Sequence, residues 1–248
     1  MRANAQAERV ASCDLTRERV QEQALRFLTT VDALWDSDFN AQSMFPQLTN
    51  GYVVTHVARC ADRYADELYA ARTGRAFPVD ADRRFPEGVG ALRPGAVLIE
   101  DASVALERLL AELCLNGATG SVAPEECRIP LEALVEIVLH HADLGSPLNE
   151  LDHSLVQTIL AAAVTHTRSA PSWPDVAMAN RTQPRLTIGA GPAQTTVFAE
   201  WSDLLAWLTG RSNAAVSTTD GRPPPPLPLW ECYRTFVPDE ADHVSSSS

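Results

Sequence analysis

NGYVVTHVARCADRYADELYAARTG, residues 50–74, decides the fold. Its apolar positions recur at helical spacing, and Val53, Val54, Val57 and Ala58 surround a single histidine, His56. The spacing predicts a helix from about Asn50 to Thr73, with Gly74 placed to terminate it. Working outward, Val20, Ala24, Phe27, Leu28, Val31 and Leu34 form a second such stripe between Thr16 and Trp35. A third helix is expected from about Ala96 to Leu115, carrying Leu98, Ala102, Ala105, Leu106, Leu109, Leu110 and Leu113 and stopping at Asn116-Gly117. Pro130 suits the first turn of a fourth helix, which ends before Gly145 and Pro147. A fifth, from about Asp152 to Thr167, presents Leu155, Val156, Ile159, Leu160, Ala163 and Val164. The stretch from Phe77 to Pro94, with Pro78, Pro86, Gly88, Gly90 and Pro94, reads as a long loop. Long helices with short connections favour an antiparallel bundle.

The pattern then changes. Pro171, Pro174 and Pro184 interrupt helix, while Asp175–Ala179, Arg185–Ile188 and Thr195–Ala199 read as short strands, followed by a helix from about Ser202 to Leu208. The expected class is α+β, with a helix bundle over residues 1–168, a small α/β domain over 169–236 and a disordered serine-rich tail over 237–248. Pro223–Pro226 should be stiff and extended.

Composition excludes several functions. The formal charge of -12 disfavours nucleic acid and anionic membrane surfaces, because both require a positive footprint. No apolar run approaches the ~20 residues that cross a bilayer, and MRANAQAERVAS has no secretory apolar stretch, so a cytoplasmic protein is expected. Cys13, Cys60, Cys114, Cys127 and Cys232 are scattered and never form C-x-x-C, which points to reduced, packed thiols. The sequence contains no lysine, and that removes Schiff-base chemistry, pyridoxal phosphate anchoring and the P-loop lysine.

The candidate chemistry lies in Glu136 and His140, four apart on the fourth helix and therefore on one face. His56 is the best third partner. Two histidines and a carboxylate suit zinc or another borderline divalent metal, with a position open for water or substrate. Spacing alone leaves a second reading open, since such pairs arise by chance and a histidine on an apolar helix is often a hydrogen-bonded core residue. Asp143, three after His140, is placed either to orient a ligand histidine or to hold the turn into Gly145. His141 points roughly 100° away from His140 and should not share its ion. His153 and His166 read as surface or packing residues, and Cys60, one turn after His56 and near enough to interfere with the site, reads first as a packed cysteine. Arg59 and Arg63 share part of the His56 face, where pairing with Asp62, Asp66 or Glu67 is expected.

Three passages resemble the mycothiol-dependent maleylpyruvate isomerase family, within the larger DinB-like group of metal-binding four-helix bundles. LTNGYVVTHVA, Leu48–Ala58, is similar to the family's Trp-Thr-x-x-His-Leu-x-x-His-Leu-Ala segment and puts His56 at its metal-binding histidine. EIVLHHADLG, residues 136–145, resembles Glu-x-x-x-His-x-x-Asp-Leu-Gly and maps Glu136 and His140 onto the other two ligands. Val197–Arg211 resembles the closing strand, helix and Gly-Arg, for which the family implies a substrate-binding or catalytic arginine at Arg211. Physically, a guanidinium can grip a carboxylate through two parallel hydrogen bonds, or simply cap the helix. The sequence departs from the family at Leu48, usually tryptophan, and at Tyr52, often histidine.

The resemblance implies a divalent metal, with zinc expected, and mycothiol as thiol cosubstrate for a small electrophile. Because the pocket passages depart from the isomerase pattern, S-transfer in specialised metabolism is expected ahead of cis–trans isomerisation. The rival from another class is a non-catalytic protein that sequesters a small molecule in the bundle.

Overall fold

The computed structural model describes residues 2–45, 48–76, 87–117, 124–168, 173–180, 186–189 and 191–228. Among them are seven α-helices: α1 Arg2–Asp32, α2 Asn50–Thr73, α3 Glu87–Gly90, α4 Gly95–Gly117, α5 Pro124–Asp143, α6 His153–Arg168 and α7 Trp201–Leu208. Four short strands follow α6: β1 Val176–Ala179, β2 Leu186–Ile188, β3 Thr195–Phe198 and β4 Ser217–Thr218. The chain divides into two compact units, Met1–Pro147 and Leu148–Ser248. No described helix is long and apolar enough to cross a membrane.

The first unit is the expected helix bundle, built from α1, α2, α4 and α5. Helix α2 begins where the Thr49 side chain accepts the backbone N–H of Tyr52 at 3.2 Å, an N-cap that satisfies one orphan donor. It ends at Gly74, whose φ of 68° is the left-handed conformation that glycine adopts without a Cβ penalty. The bundle core draws Val53, Val57 and Leu68 from α2, Leu98, Leu106 and Leu109 from α4, Leu134 and Ile137 from α5, and Val20, Ala24, Phe27 and Val31 from α1, all buried.

Contact register sets the helix directions. Arg59 pairs with Asp101 at 2.7 Å, Asp62 with Arg108 at 2.8 Å and Arg72 with Glu112 at 2.9 Å, so numbers rise together along α2 and α4. These two helices therefore run parallel. Against α5 the order reverses, His56 facing Glu136 and Glu67 facing Arg128. It reverses also between α1 and α4, where Asp36 meets Gly95 and Arg17 meets Gly117. The bundle order is up, down, down, up. A parallel neighbour requires the chain to return along α2, about 36 Å at ~1.5 Å per residue. The 74–94 connection is long enough for that return. Short connections favoured strict alternation, and this one long connection breaks it. On its return α3 packs closely, a Cβ on Gly90 falling 2.5 Å from the Thr55 methyl carbon.

Other boundaries differ for local reasons. Helix α1 starts at Arg2 instead of near Thr16, since its first turns are rich in alanine, glutamine and arginine, which favour helix without an apolar stripe. Helix α5 starts at Pro124, so Pro124 takes the first-turn role expected of Pro130, and Pro130 sits inside the helix. Gly145, at φ 98°, ends α5 with Pro147 close behind.

In the second unit α6 makes its contacts with α7 and β2. It therefore groups with the sheet, and the division falls at Pro147–Leu148 instead of near Ser169. The sheet order is β2-β1-β3-β4, with β1 parallel to β3 and the outer pairs antiparallel. All four residues of the central β1 are buried. Strand β4 pairs Thr218 with Val197 and Ser217 with Phe198, and nothing in its two-residue length marked it as a strand. Residues 77–86, 229–236 and the expected tail 237–248 lie outside the described residues.

Candidate metal centre

The second turn of α2 and the last two turns of α5 meet inside the first unit. His56, Glu136 and His140 each present one donor atom there, all within 4.8 Å of one another. Glu136 Oε2 lies 3.2 Å from His140 Nε2 and 3.6 Å from His56 Nε2. The two imidazole rings meet edge to face with centroids 4.6 Å apart. The spacing argument thus brings together all three side chains it singled out. Helix pitch aligns the α5 pair, and the antiparallel pairing of α2 with α5 supplies His56.

Burial and charge define the site. Both histidines are buried, and the Glu136 carboxylate is mostly so. Burial alone would raise the Glu136 pKa. The contacts and charge of His140 and His56 outweigh it and hold the carboxyl well below the usual range. Its Oε2 is shielded from water, and no described donor meets it in good hydrogen-bond geometry. A buried anionic oxygen between two imidazole nitrogens is the donor set a divalent cation takes.

Asp143 resolves in favour of orientation. Its Oδ2 lies 2.9 Å from His140 Nδ1, and its side chain is completely buried. The carboxylate accepts the Nδ1 proton, so that a neutral His140 ring carries its lone pair on Nε2, toward Glu136 and His56. The same residue also holds the turn, its backbone carbonyl accepting from Met44 N at 2.8 Å. His141 points elsewhere, as its position on the helix requires: its Nε2 meets Thr30 Oγ1 at 2.7 Å and its ring lies edge-on to Phe27. Burial, with help from Arg26, lowers the His141 pKa.

Beside Glu136, Val57, Ala61, Leu109, Ala133 and Ile137 form an apolar wall that also includes Cys60 and Tyr64. Burial, with the Glu136 charge second, pushes the Tyr64 phenol far above its ordinary pKa. The arginines divide their roles. Arg59 pairs with Asp101 and, at 3.3 Å, with Asp62, while Asp66 goes to Arg108 and Glu67 to Arg128. Arg63 instead stacks over the Tyr64 ring at 4.8 Å and approaches Cys60 Sγ at 3.9 Å. Cys60 is buried and also reaches the site, as its place one turn after His56 allows: its Sγ is 3.4 Å from His56 Nε2. The signal available was the four-residue spacing His56-x-x-x-Cys60, the same spacing that joins Glu136 to His140. Cys13, Cys60 and Cys114 are free thiols, whereas the Cys127 side chain and Cys232 lie outside the described residues.

In the second unit, Arg211 follows Gly210, whose φ is 75°. Its Nη1 donates to the Thr209 carbonyl at 3.3 Å, the capping contact considered from sequence. The side chain also lines a cavity of about 380 Å³ with Trp207, Asn213 and the proline run Pro224–Pro226. His153 is exposed at the start of α6.

A family model described as the mycothiol maleylpyruvate isomerase N-terminal domain matches residues 20–145, just over half of the 248 residues. No curated protein sequence matches the chain. Two solved structures of mycothiol-dependent maleylpyruvate isomerase, one of them a histidine-to-alanine mutant, superpose with a TM-score of 0.72 at 16% identity. The match covers 91% of this chain and 97% of theirs, and at that identity it is a likeness of fold.

Proposed function

The chain belongs to the mycothiol maleylpyruvate isomerase family, and from that premise we propose that it is a metal-dependent enzyme using mycothiol against a small electrophile. The observation that carries the reading is the convergence of His56, Glu136 and His140 within 4.8 Å in the family-matching unit. Two imidazoles and one carboxylate would hold a borderline divalent ion, zinc by preference, with a coordination position to spare. A cation there supplies the charge that favours thiolate over thiol at neutral pH.

The chain's own residues do the rest. Asp143 keeps the Nδ1 proton of His140 and fixes that ring's direction. The apolar wall of Val57, Leu109 and Ile137 excludes water, which strengthens every charge interaction inside it. Arg211 would orient a carboxylate-bearing substrate through its guanidinium. The leading outcome is S-transfer: the mycothiol sulfur bonds to an electrophilic carbon and stays there. Leu48 and Tyr52 support this choice, since they replace family residues in the passage beside His56. Cis–trans isomerisation, in which the sulfur adds and leaves again, is the second reading, supported by the family's name.

The test is the metal content of purified protein, wild type beside His56→Ala and Glu136→Ala, followed by turnover of mycothiol with candidate electrophiles. Near-stoichiometric metal in the wild type alone, with turnover past one equivalent, is expected. A wild type that neither carries nor takes up zinc, and consumes at most one equivalent of electrophile, would replace the enzyme with a sequestering protein.

A further inference from the structure

Cys60 lies one helical turn beyond His56 on α2, buried, with its sulfur 3.4 Å from His56 Nε2. That nitrogen is the one facing Glu136 Oε2. Two donors on one tetrahedral ion, at bond lengths of about 2.1 Å to nitrogen and 2.3 Å to sulfur, stand roughly 3.6 Å apart. The observed separation is that of an S–H···N hydrogen bond, and it also lies within a few tenths of an ångström of what two donors on one ion require. The wall bearing Cys60 also includes Glu136, so sulfur and carboxylate open onto the same space. Arg63 Nη2, 3.9 Å from the sulfur, places a cation where it stabilises negative charge on it.

We propose that Cys60 is a fourth protein ligand to the metal, occupying the position that an incoming thiol must take. The proposal rests on the metal reading of His56, Glu136 and His140. Those three donors form the tight group, Cys60 stands outside it beside the His56 corner, and its sulfur would turn onto the ion and lose its proton to solvent as it binds. The site is then closed at rest, with two histidines, one glutamate and one cysteine. It opens when the small thiol displaces the side-chain sulfur. A sulfur donor would also select zinc or cobalt over magnesium or manganese, which prefer oxygen.

The experiment loads purified full-length protein with cobalt chloride, wild type beside Cys60→Ser and Cys60→Ala. It records bound cobalt per chain and the near-ultraviolet charge-transfer band diagnostic of a sulfur–cobalt bond. One cobalt per chain in all three proteins, with the band in the wild type only, is expected. Cobalt affinity should fall about tenfold or more in both variants, as measured by chelator competition. A wild type that binds one cobalt without the band overturns the Cys60 assignment and leaves the three-ligand site standing. A band that persists in Cys60→Ser overturns it equally. Failure of the wild type to bind cobalt at all overturns the metal reading together with this proposal.

Discussion

Replacing Asp143 with asparagine removes one charge from a fully buried side chain and leaves its shape nearly unchanged. The carboxylate now accepts the Nδ1 proton of His140 at 2.9 Å and so keeps Nε2 deprotonated toward Glu136 and His56. An asparagine oxygen in the same place keeps the tautomer but loses the charge-assisted part of the bond. An asparagine NH2 in that place reverses the tautomer and puts a proton on Nε2, which then cannot bind an ion. Either way metal affinity falls. The usual size for such an outer partner is about 10- to 100-fold, or about 1.4–2.8 kcal/mol. Zinc competition against a chromogenic chelator reads the change directly, and urea unfolding of the metal-free proteins checks that the fold survives. The backbone contact from Met44 to the Asp143 carbonyl does not involve the side chain, so the turn after α5 should remain. Zinc affinity within about twofold of the wild type would refute the orienting role, because an orienting carboxylate typically contributes about tenfold or more.

The depressed Glu136 pKa gives a signed pH dependence. A carboxylate favoured by the fold stabilises it above the unfolded value of about 4.3 and loses that contribution as pH falls through the folded value. Metal-free wild type should thus exceed Glu136→Gln in urea-measured stability at pH 6, the gap closing toward pH 3; equal stability at pH 6 would contradict this. Asp62→Asn weakens the contacts to Arg108 and Arg59 on the parallel helix pair and should cost about 3 kcal/mol, seen as a lower urea midpoint at unchanged slope. A Cβ on Gly51 would sit 3.0 Å from the carbonyl oxygens of Ala91 and Phe39, so Gly51→Ala should cost about 1–3 kcal/mol by the same assay. Loss of the Thr49 cap in Thr49→Ala should cost about 1 kcal/mol while leaving zinc stoichiometry at its wild-type value.

Periodicity and punctuation made the helices legible. Asn50–Thr73 stands where the stripe and Gly74 put it, and α4, α6 and α7 fall within two residues of their expected bounds. Segments stabilised without an apolar stripe were not legible, namely the first turns of α1 and the single turn α3. The direction of α4 was invisible as well, because a helix stripe reads the same from either end. Only cross-helix partners such as Arg59 with Asp101 and Arg72 with Glu112 carry that information, and they appear once both helices are placed. The site followed the same logic. Glu136 with His140 was readable as one face of one helix, and His56 needed the antiparallel pairing of α2 with α5. Cys60 had the right spacing, yet a buried cysteine on an apolar helix has the ordinary role of a small hydrophobe, and its contact with His56 appears only once the helix is built.

Charge decides between a metal centre and a hydrogen-bonded core cluster. A buried histidine pair serving only the core is satisfied by one acceptor for each ring proton. Here His140 alone meets two carboxylates, Asp143 at Nδ1 and Glu136 at Nε2, although a neutral ring has one proton and Asp143 accepts it. His140 and Asp143 sit in the last turn of α5, where the helix dipole adds partial negative charge and favours a cation, while Glu136 lies a turn before them. The opposing N-terminus of α2 offsets this little, because His56 lies in the second turn and the dipole effect fades within the first. Two buried carboxylates and a helix C-terminus leave a concentration of negative charge that a divalent ion balances in one step. Neutral imidazoles leave it uncompensated; protonated ones offset it, as the lowered Glu136 pKa records, but then offer no Nε2 lone pair to an ion. The arrangement therefore fits cation binding better than it fits packing.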